Sequence, residues 1–120
     1  MELTQKLIEE YKSIIGKTVE VVMDRPIGAR HPKHPEIVYP INYGYIENLI
    51  GGDGEEQDVY VLDKAEATDR CKAKVVAVVH RFDDDECKWV ASFTGEMHTA
   101  KEIEDAIRFQ EQFHDGIIIQ

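Results

Sequence analysis

Lys74-Val75-Val76-Ala77-Val78-Val79-His80-Arg81-Phe82, Asp83-Asp84-Asp85-Glu86 and Cys87-Lys88-Trp89-Val90-Ala91-Ser92-Phe93 decide the fold. Two apolar runs, the first rich in valine, flank a wholly acidic tetrapeptide, the pattern of antiparallel strands joined by a tight turn. With Asp84-Asp85 as that turn, Asp83 and Glu86 stand opposite one another, their Cβ atoms about 5 Å apart. The two-residue period of a strand then adds Lys88 to their face.

Working outward, residues 43–49 and 57–62 read as two further strands, separated by the acidic glycine turn Gly51-Gly52-Asp53-Gly54-Glu55-Glu56. Thr18-Val19-Glu20-Val21-Val22-Met23-Asp24 is a fifth strand, ended by Arg25-Pro26. Residues 26–40 hold Pro26, Pro32, Pro35, Pro40 and Gly28, which prevent a helix and suit an ordered, extended loop. Leu3, Leu7, Ile8, Tyr11, Ile14 and Ile15 recur at helical spacing before Gly16. Thr99-Ala100-Lys101-Glu102 is a capping box, and Ile103, Ile107, Gln110 and Phe113 extend that second helix toward Gly116. Strands bracketed by two helices, without alternating β and α units, predict a mainly β fold: a small five-stranded barrel with N-terminal and C-terminal helices outside.

The 120 residues are one domain's worth of chain, so residues 1–120 are expected to form a single unit. Hydrophobic residues make up 42% of it, enough for a core. Acidic residues outnumber basic ones 24 to 14, and a formal charge of -10 disfavours nucleic acid and anionic membrane as partners. Cys71 and Cys87 form no C-x-x-C pair, no run of apolar residues is long enough to span a bilayer, and the first residues lack a signal-peptide pattern. These features together predict a cytoplasmic protein.

Three clusters carry chemistry. In Asp53-Gly54-Glu55-Glu56-Gln57-Asp58 a glycine turn brings several carboxylates close together. Their mutual repulsion is relieved by a hard divalent cation, Mg²⁺ or Mn²⁺, although an exposed acidic turn accounts for the same residues equally well. The opposed pair Asp83 and Glu86 has the same two readings, metal site or wet hairpin tip. Arg25, Arg30, His31, Lys33 and His34 invert the local charge of an acidic chain, which suits phosphate. Zinc is disfavoured because no cysteine or third patterned histidine accompanies His31 and His34. No G-x-S-x-G or P-loop is present, which argues against serine hydrolases and ordinary NTPases. Carboxylates for metals beside cations for phosphate point to metal-assisted phosphoryl hydrolysis.

Val38-Tyr39-Pro40-Ile41-Asn42-Tyr43-Gly44-Tyr45, followed by Asp53-Gly54-Glu55-Glu56-Gln57-Asp58, resembles the Y-P-x-N-Y-G-Y and D-G-D-x-x-D segments of soluble family I inorganic pyrophosphatases. The resemblance runs from about Val21 to Phe113 and implies a five-stranded OB-like barrel whose mouth holds several Mg²⁺ ions. It implies Asp53, Asp58, Asp83 and Glu86 as metal ligands, Glu55 as the general base, and Asp24 contacting metal through water. Lys33, Tyr43 and Lys88 would bind phosphate and serve catalysis, with Arg30 or Arg25 helping. The implied reaction is hydrolysis of pyrophosphate to two phosphates by metal-bound hydroxide, with Mn²⁺ as a substitute ion and room for a homo-oligomer.

This chain departs from the pattern at Glu55 and Glu86, each longer by a methylene than the family's aspartate. Phe113-His114 replaces a tyrosine-lysine pair, and the strand carrying a phosphate-binding arginine is missing between His34 and Val38. Two alternatives therefore stand beside the pyrophosphatase reading. One is a hydrolase of another small phosphoanhydride, and the other is a non-catalytic phosphate- or metal-binding relative.

Overall fold

The computed structural model describes all residues, 1–120. Its elements in chain order are α1 (Gln5–Ile14), β1 (Thr18–Arg25), β2 (Asn42–Ile50), β3 (Glu56–Leu62), β4 (Arg70–Arg81), β5 (Cys87–Ser92), α2 (Ala100–Glu111) and β6 (Gly116–Ile119). The strands lie in the order β1-β2-β3-β5-β4-β6, and β1 also pairs with β4, so β1 to β5 close into a barrel with β6 added outside β4. Only the β3–β5 pairing is parallel. Closure removes the sheet edges that an open five-stranded array would expose.

Both helices begin as their sequences dictate. The Thr4 hydroxyl accepts from the Leu7 amide at 3.1 Å, and Thr99 and Glu102 form the reciprocal capping box of α2. Strands β3, β4 and β5 are largely buried on both faces. Val59, Val61, Trp89 and Ala91 join Val21, Val75 and Val78 in a core that Tyr11 of α1 closes. Their alternate neighbours Tyr60, Leu62 and Val90 join Tyr43, Val76 and Val79 in a second core under Ile103 and Ile107 of α2.

The sequence reading needs three corrections. A sixth strand, β6, follows α2, because Ile117, Ile118 and Ile119 are β-branched and pair antiparallel with His80, Val79 and Val78. The second helix ends at Glu111, so Phe113 falls in the turn beyond it and is 65% exposed instead of continuing the apolar stripe. The β4–β5 register is Val79↔Lys88 and His80↔Cys87, so Asp83 and Glu86 are not opposed. The Phe82 amide donates instead to the Asp115 carbonyl at 2.7 Å, and residues 82–86 form the connection. This slip is two residues long, so it changes partners without changing faces: Glu86 and Lys88 remain together, and Arg81 stands where Asp83 was expected.

Gly44 faces Met23 across β1 and β2, and a Cβ there would collide with the Val22 carbonyl, a backbone atom that cannot swing aside. Gly44→Ala is therefore expected to lower stability by about 3 kcal/mol, the upper range for an inserted methyl group, read as a fall in the urea midpoint with unchanged slope.

Candidate active site

The second core face continues past its apolar part into a polar cleft. Two-residue alternation puts Asp58 on the face of Tyr60, Lys88 on that of Val90, and Arg81 on that of Val79. The pairings Tyr43↔Tyr60, Tyr60↔Val90 and Val79↔Lys88 bring these strands side by side. The cleft measures about 640 Å³ and is lined by Asp24, Arg25, Tyr43, Asp58, Arg81, Asp84, Glu86 and Lys88, with His31, His34, Glu36 and Ile37 from the proline-rich loop and Gln110, Phe113 and His114 from the end of α2 and the turn after it. A groove of about 480 Å³ between α2 and β6 has a more apolar lining and lacks such convergence of charge.

Lys88 is the centre of the cleft. Only 4% of its side chain is exposed, and its Nζ donates to Asp58 Oδ2 at 2.5 Å and Tyr43 Oη at 2.9 Å and stands 2.9 Å from Glu86 Oε1. Burial opposes the charge, but Tyr43, Asp58 and Glu86 outweigh it, so the ammonium is held above the ordinary lysine range. Burial raises the Tyr43 phenol as well, leaving it a neutral hydrogen-bonding group.

A β-bulge places the next two groups. Successive strand residues normally point to opposite faces, yet Asp24 and Arg25 both line the cleft. The β1–β2 register shifts between Met23 and Arg25 and leaves Asp24 as the extra residue, which re-aims both side chains. Arg25 lies 5.8 Å over the Tyr43 ring and donates to Tyr39 Oη at 2.6 Å; that hydroxyl donates to Gln110 at 2.7 Å. Partial desolvation holds Asp24, an exposed residue at the cleft edge, above the usual carboxylate range, against the pull of Arg25 and with help from Asp58.

Asp53 and Glu86 meet because Gly52 packs against the hairpin tip, where any Cβ would strike the Asp85 carbonyl. A hydrogen bond from Glu86 lowers Asp53, whereas burial raises Glu86 against the pull of Lys88. The repulsion of two carboxyls brought together is relieved by a shared proton or a cation.

Arg81, absent from the expected site, is the other buried cation, with 3% of its side chain exposed. Its Nε and Nη2 bind the two oxygens of Glu111 at 3.0 and 2.5 Å, and its Nη1 reaches Asp84 at 3.1 Å and Glu86 at 3.3 Å. Tyr60 donates to the same Glu111 at 2.5 Å. The signal was in the sequence: Glu111 continues the Ile103, Ile107 stripe of α2 by one more step of four, so the buried face of the helix carries an acid.

Of the expected residues, Tyr43, Asp58, Glu86 and Lys88 come together, and Asp53, exposed and outside the lining, adjoins them only at Glu86. Four do not. Asp83 turns out of the cleft, exposed, 3.4 Å from His114 Nδ1. Arg30 is spent within its own loop, donating to the Pro35 carbonyl at 2.8 Å, so of the two candidate arginines it is Arg25 that lines the cleft. Lys33 and Glu55 are exposed and outside the lining, each on a turn whose tip faces solvent.

A family model described as inorganic pyrophosphatase matches residues 8–117. The chain belongs to the inorganic pyrophosphatase family. Among solved structures it is similar to the inorganic pyrophosphatase of Ehrlichia chaffeensis, at 17% identity and TM-score 0.65, over 85% of this chain and 84% of that one. It is also similar to that of Coxiella burnetii, at 13% identity and TM-score 0.61 over 87% and 84% of the two chains, and to that of Neisseria gonorrhoeae, at 22% identity and TM-score 0.57 over 82% and 76%. At these identities the likeness is one of fold. No curated protein matches the chain.

The pyrophosphatase family uses divalent metal, and the donor set here fits such an ion. Mg²⁺ is commonly held by one or two carboxylates plus water and substrate phosphates, and Asp53 and Glu86 already touch in the way a cation would relieve. No three His, Cys, Asp or Glu side chains share one metal's reach, and Lys88 lies between Glu86 and Asp58.

Lys88→Met would leave Asp58 without a cation and Glu86 with Arg81 alone. A loss of about 3 kcal/mol is expected, the low end for breaking a buried pair, because Asp58 keeps 24% of its side chain in water. Chemical denaturation of the parent and the variant measures it.

Proposed function

We propose that the cleft around Lys88 hydrolyses inorganic pyrophosphate to two phosphates, using Mg²⁺ held by Asp53 and Glu86 with Asp58 beside them; Mn²⁺ would substitute. The supporting observation is the meeting of opposite chemistries in one cleft. Carboxylates that suit a hard cation, Asp58 and Glu86, lie beside Lys88, Tyr43 and Arg25, whose donors suit phosphate oxygens.

In this reading Lys88 and Arg25 hold the substrate's charge, and Tyr43, kept neutral by burial, donates to a phosphate oxygen without repelling it. Lys88 would exchange part of its present contact with Asp58 for the incoming phosphate, freeing that carboxylate to accept a proton or orient water. The bound divalent ion supplies Lewis acidity, neutralising substrate charge and making water a better nucleophile. A water oxygen bonds to one phosphorus, the bridging P–O bond breaks, and the leaving phosphate takes that electron pair; the two protons of water end on the two products. Phe113 and His114 line the rim, so a phenyl and an imidazole ring stand where the family resemblance has a tyrosine and a lysine.

The resemblance makes Glu55 the general base, whereas the geometry favours Asp24, which lines the cleft. Lys33 would act only by a movement of its loop. The chain is taken to work as a single domain acting on a small-molecule substrate, and a cytoplasmic location accords with the free thiols of Cys71 and Cys87. Oligomer formation would be a separate property of the surface.

Phosphate release from pyrophosphate, triphosphate and nucleoside diphosphates, with and without Mg²⁺, tests the reading. Mg²⁺-dependent turnover of pyrophosphate above the other substrates is expected, and Asp58→Asn should reduce it at least about tenfold with the fold retained. Preference for another phosphoanhydride, or binding without turnover, would transfer the assignment to that alternative.

The two base candidates separate by substitution. If Asp24 takes the proton, Asp24→Asn should lower kcat by about 10² to 10⁴-fold and Glu55→Gln by little. The reverse pattern would return the role to Glu55.

A further inference from the structure

Arg81 is a buried cation with no place in the reaction just described, and its donors are committed to carboxylates. Both oxygens of Glu111 and one each of Asp84 and Glu86 face its guanidinium within 3.3 Å. Glu86 Oε1 is also 2.9 Å from Lys88 Nζ, so that oxygen already has two cationic neighbours. Four carboxylates, those of Asp58, Asp84, Glu86 and Glu111, therefore pair with two permanent cations, and Asp53 adjoins the group at Glu86. The guanidinium cannot lose its proton, and its forked donors hold Glu111 bidentately, the geometry that gives arginine–carboxylate pairs their direction as well as their strength.

The group thus divides into two ends. At the Asp84–Glu111 end the acids are neutralised from within the chain. At the other end Asp53, the second oxygen of Glu86 and the second oxygen of Asp58 have no arginine on them. We propose that Arg81 is a built-in counter-cation, a positioning residue that permanently fills the Asp84–Glu86–Glu111 end of the site and leaves room for a single divalent ion at the Asp53 end. This rests on the reading of the cleft as a divalent-cation site. Two consequences follow. The chain has a smaller metal requirement than a purely acidic pocket of the same size, and Glu86 is oriented by two side chains before any metal arrives.

The Arg81→Gln variant removes the charge and keeps polar atoms. Because it strands Glu111, it is paired with the double variant Arg81→Gln, Glu111→Gln, which removes both halves of the bidentate pair. Bound Mn²⁺ is counted on the full-length chain from the loss of the free-ion EPR signal, and thermal unfolding is followed with and without Mn²⁺. About one Mn²⁺ per chain is expected in the parent, and a second in the variants, as the freed oxygens of Asp84 and Glu86 become ligands. The variants' unfolding midpoints should rise with Mn²⁺ by more than the parent's, since an ion bound only to the folded state adds stability. A merely structural arginine would lower the midpoint without changing the count. Two or more ions on the parent, or an unchanged count in the double variant, overturns the inference. The expected counts in a chain that fails to hydrolyse pyrophosphate would support the counter-cation role and count against the pyrophosphatase reading alone.

Discussion

Two cations buried on adjacent strands organise this molecule's chemistry. Lys88 and Arg81 share a face because Val79 pairs with Lys88, and the buried charge of each is compensated by carboxylates brought from several parts of the chain. Asp58 comes from β3, Glu86 from the β4–β5 connection, and Glu111 from the last turn of α2. An unpaired cation at that depth costs several kcal/mol, so the barrel, the connection and α2 must all be in place together. The cleft is therefore formed by folding itself, and its acids are held in position before any substrate or metal binds.

The barrel supplies the framework. Alternation gives one face of β3 and β5 to the core under α1 and the other to the core under α2, and the site is the polar end of that second face. Local departures from regularity do the aiming. The bulge at Asp24 brings two consecutive residues into one cleft, and Gly52 lets the acidic turn approach the hairpin tip until Asp53 reaches Glu86.

Most of the fold was legible in sequence because its signals are local: the capping box at Thr99, the helical spacing from Leu3 to Ile15, and the valine run of β4. Period two alone put Glu86 and Lys88 together, and it survived a register error of two residues. What escaped depended on distant partners. Residues 116–119 become a strand only because β4 has a free side to receive them, and that same ladder moves the hairpin connection and turns Asp83 outward. The bulge at Asp24 cannot be read from neighbouring residues, and although the stripe of α2 marks Glu111 as an acid on a buried face, its pairing with Arg81 is decided by what lies across the fold. The resemblance carried Lys33, Arg30 and Glu55 into the site by position, yet all three sit on exposed segments, where a shortened loop and a solvent-facing turn leave them outside the cleft.

A crystal grown with Mn²⁺ and a non-hydrolysable diphosphonate tests the central claim most directly. The account expects the diphosphonate oxygens on Lys88, Tyr43 and Arg25, and an anomalous Mn²⁺ peak against Asp53 and Glu86. A diphosphonate bound elsewhere, with Lys88 still closed on Asp58 and Glu86, would contradict it.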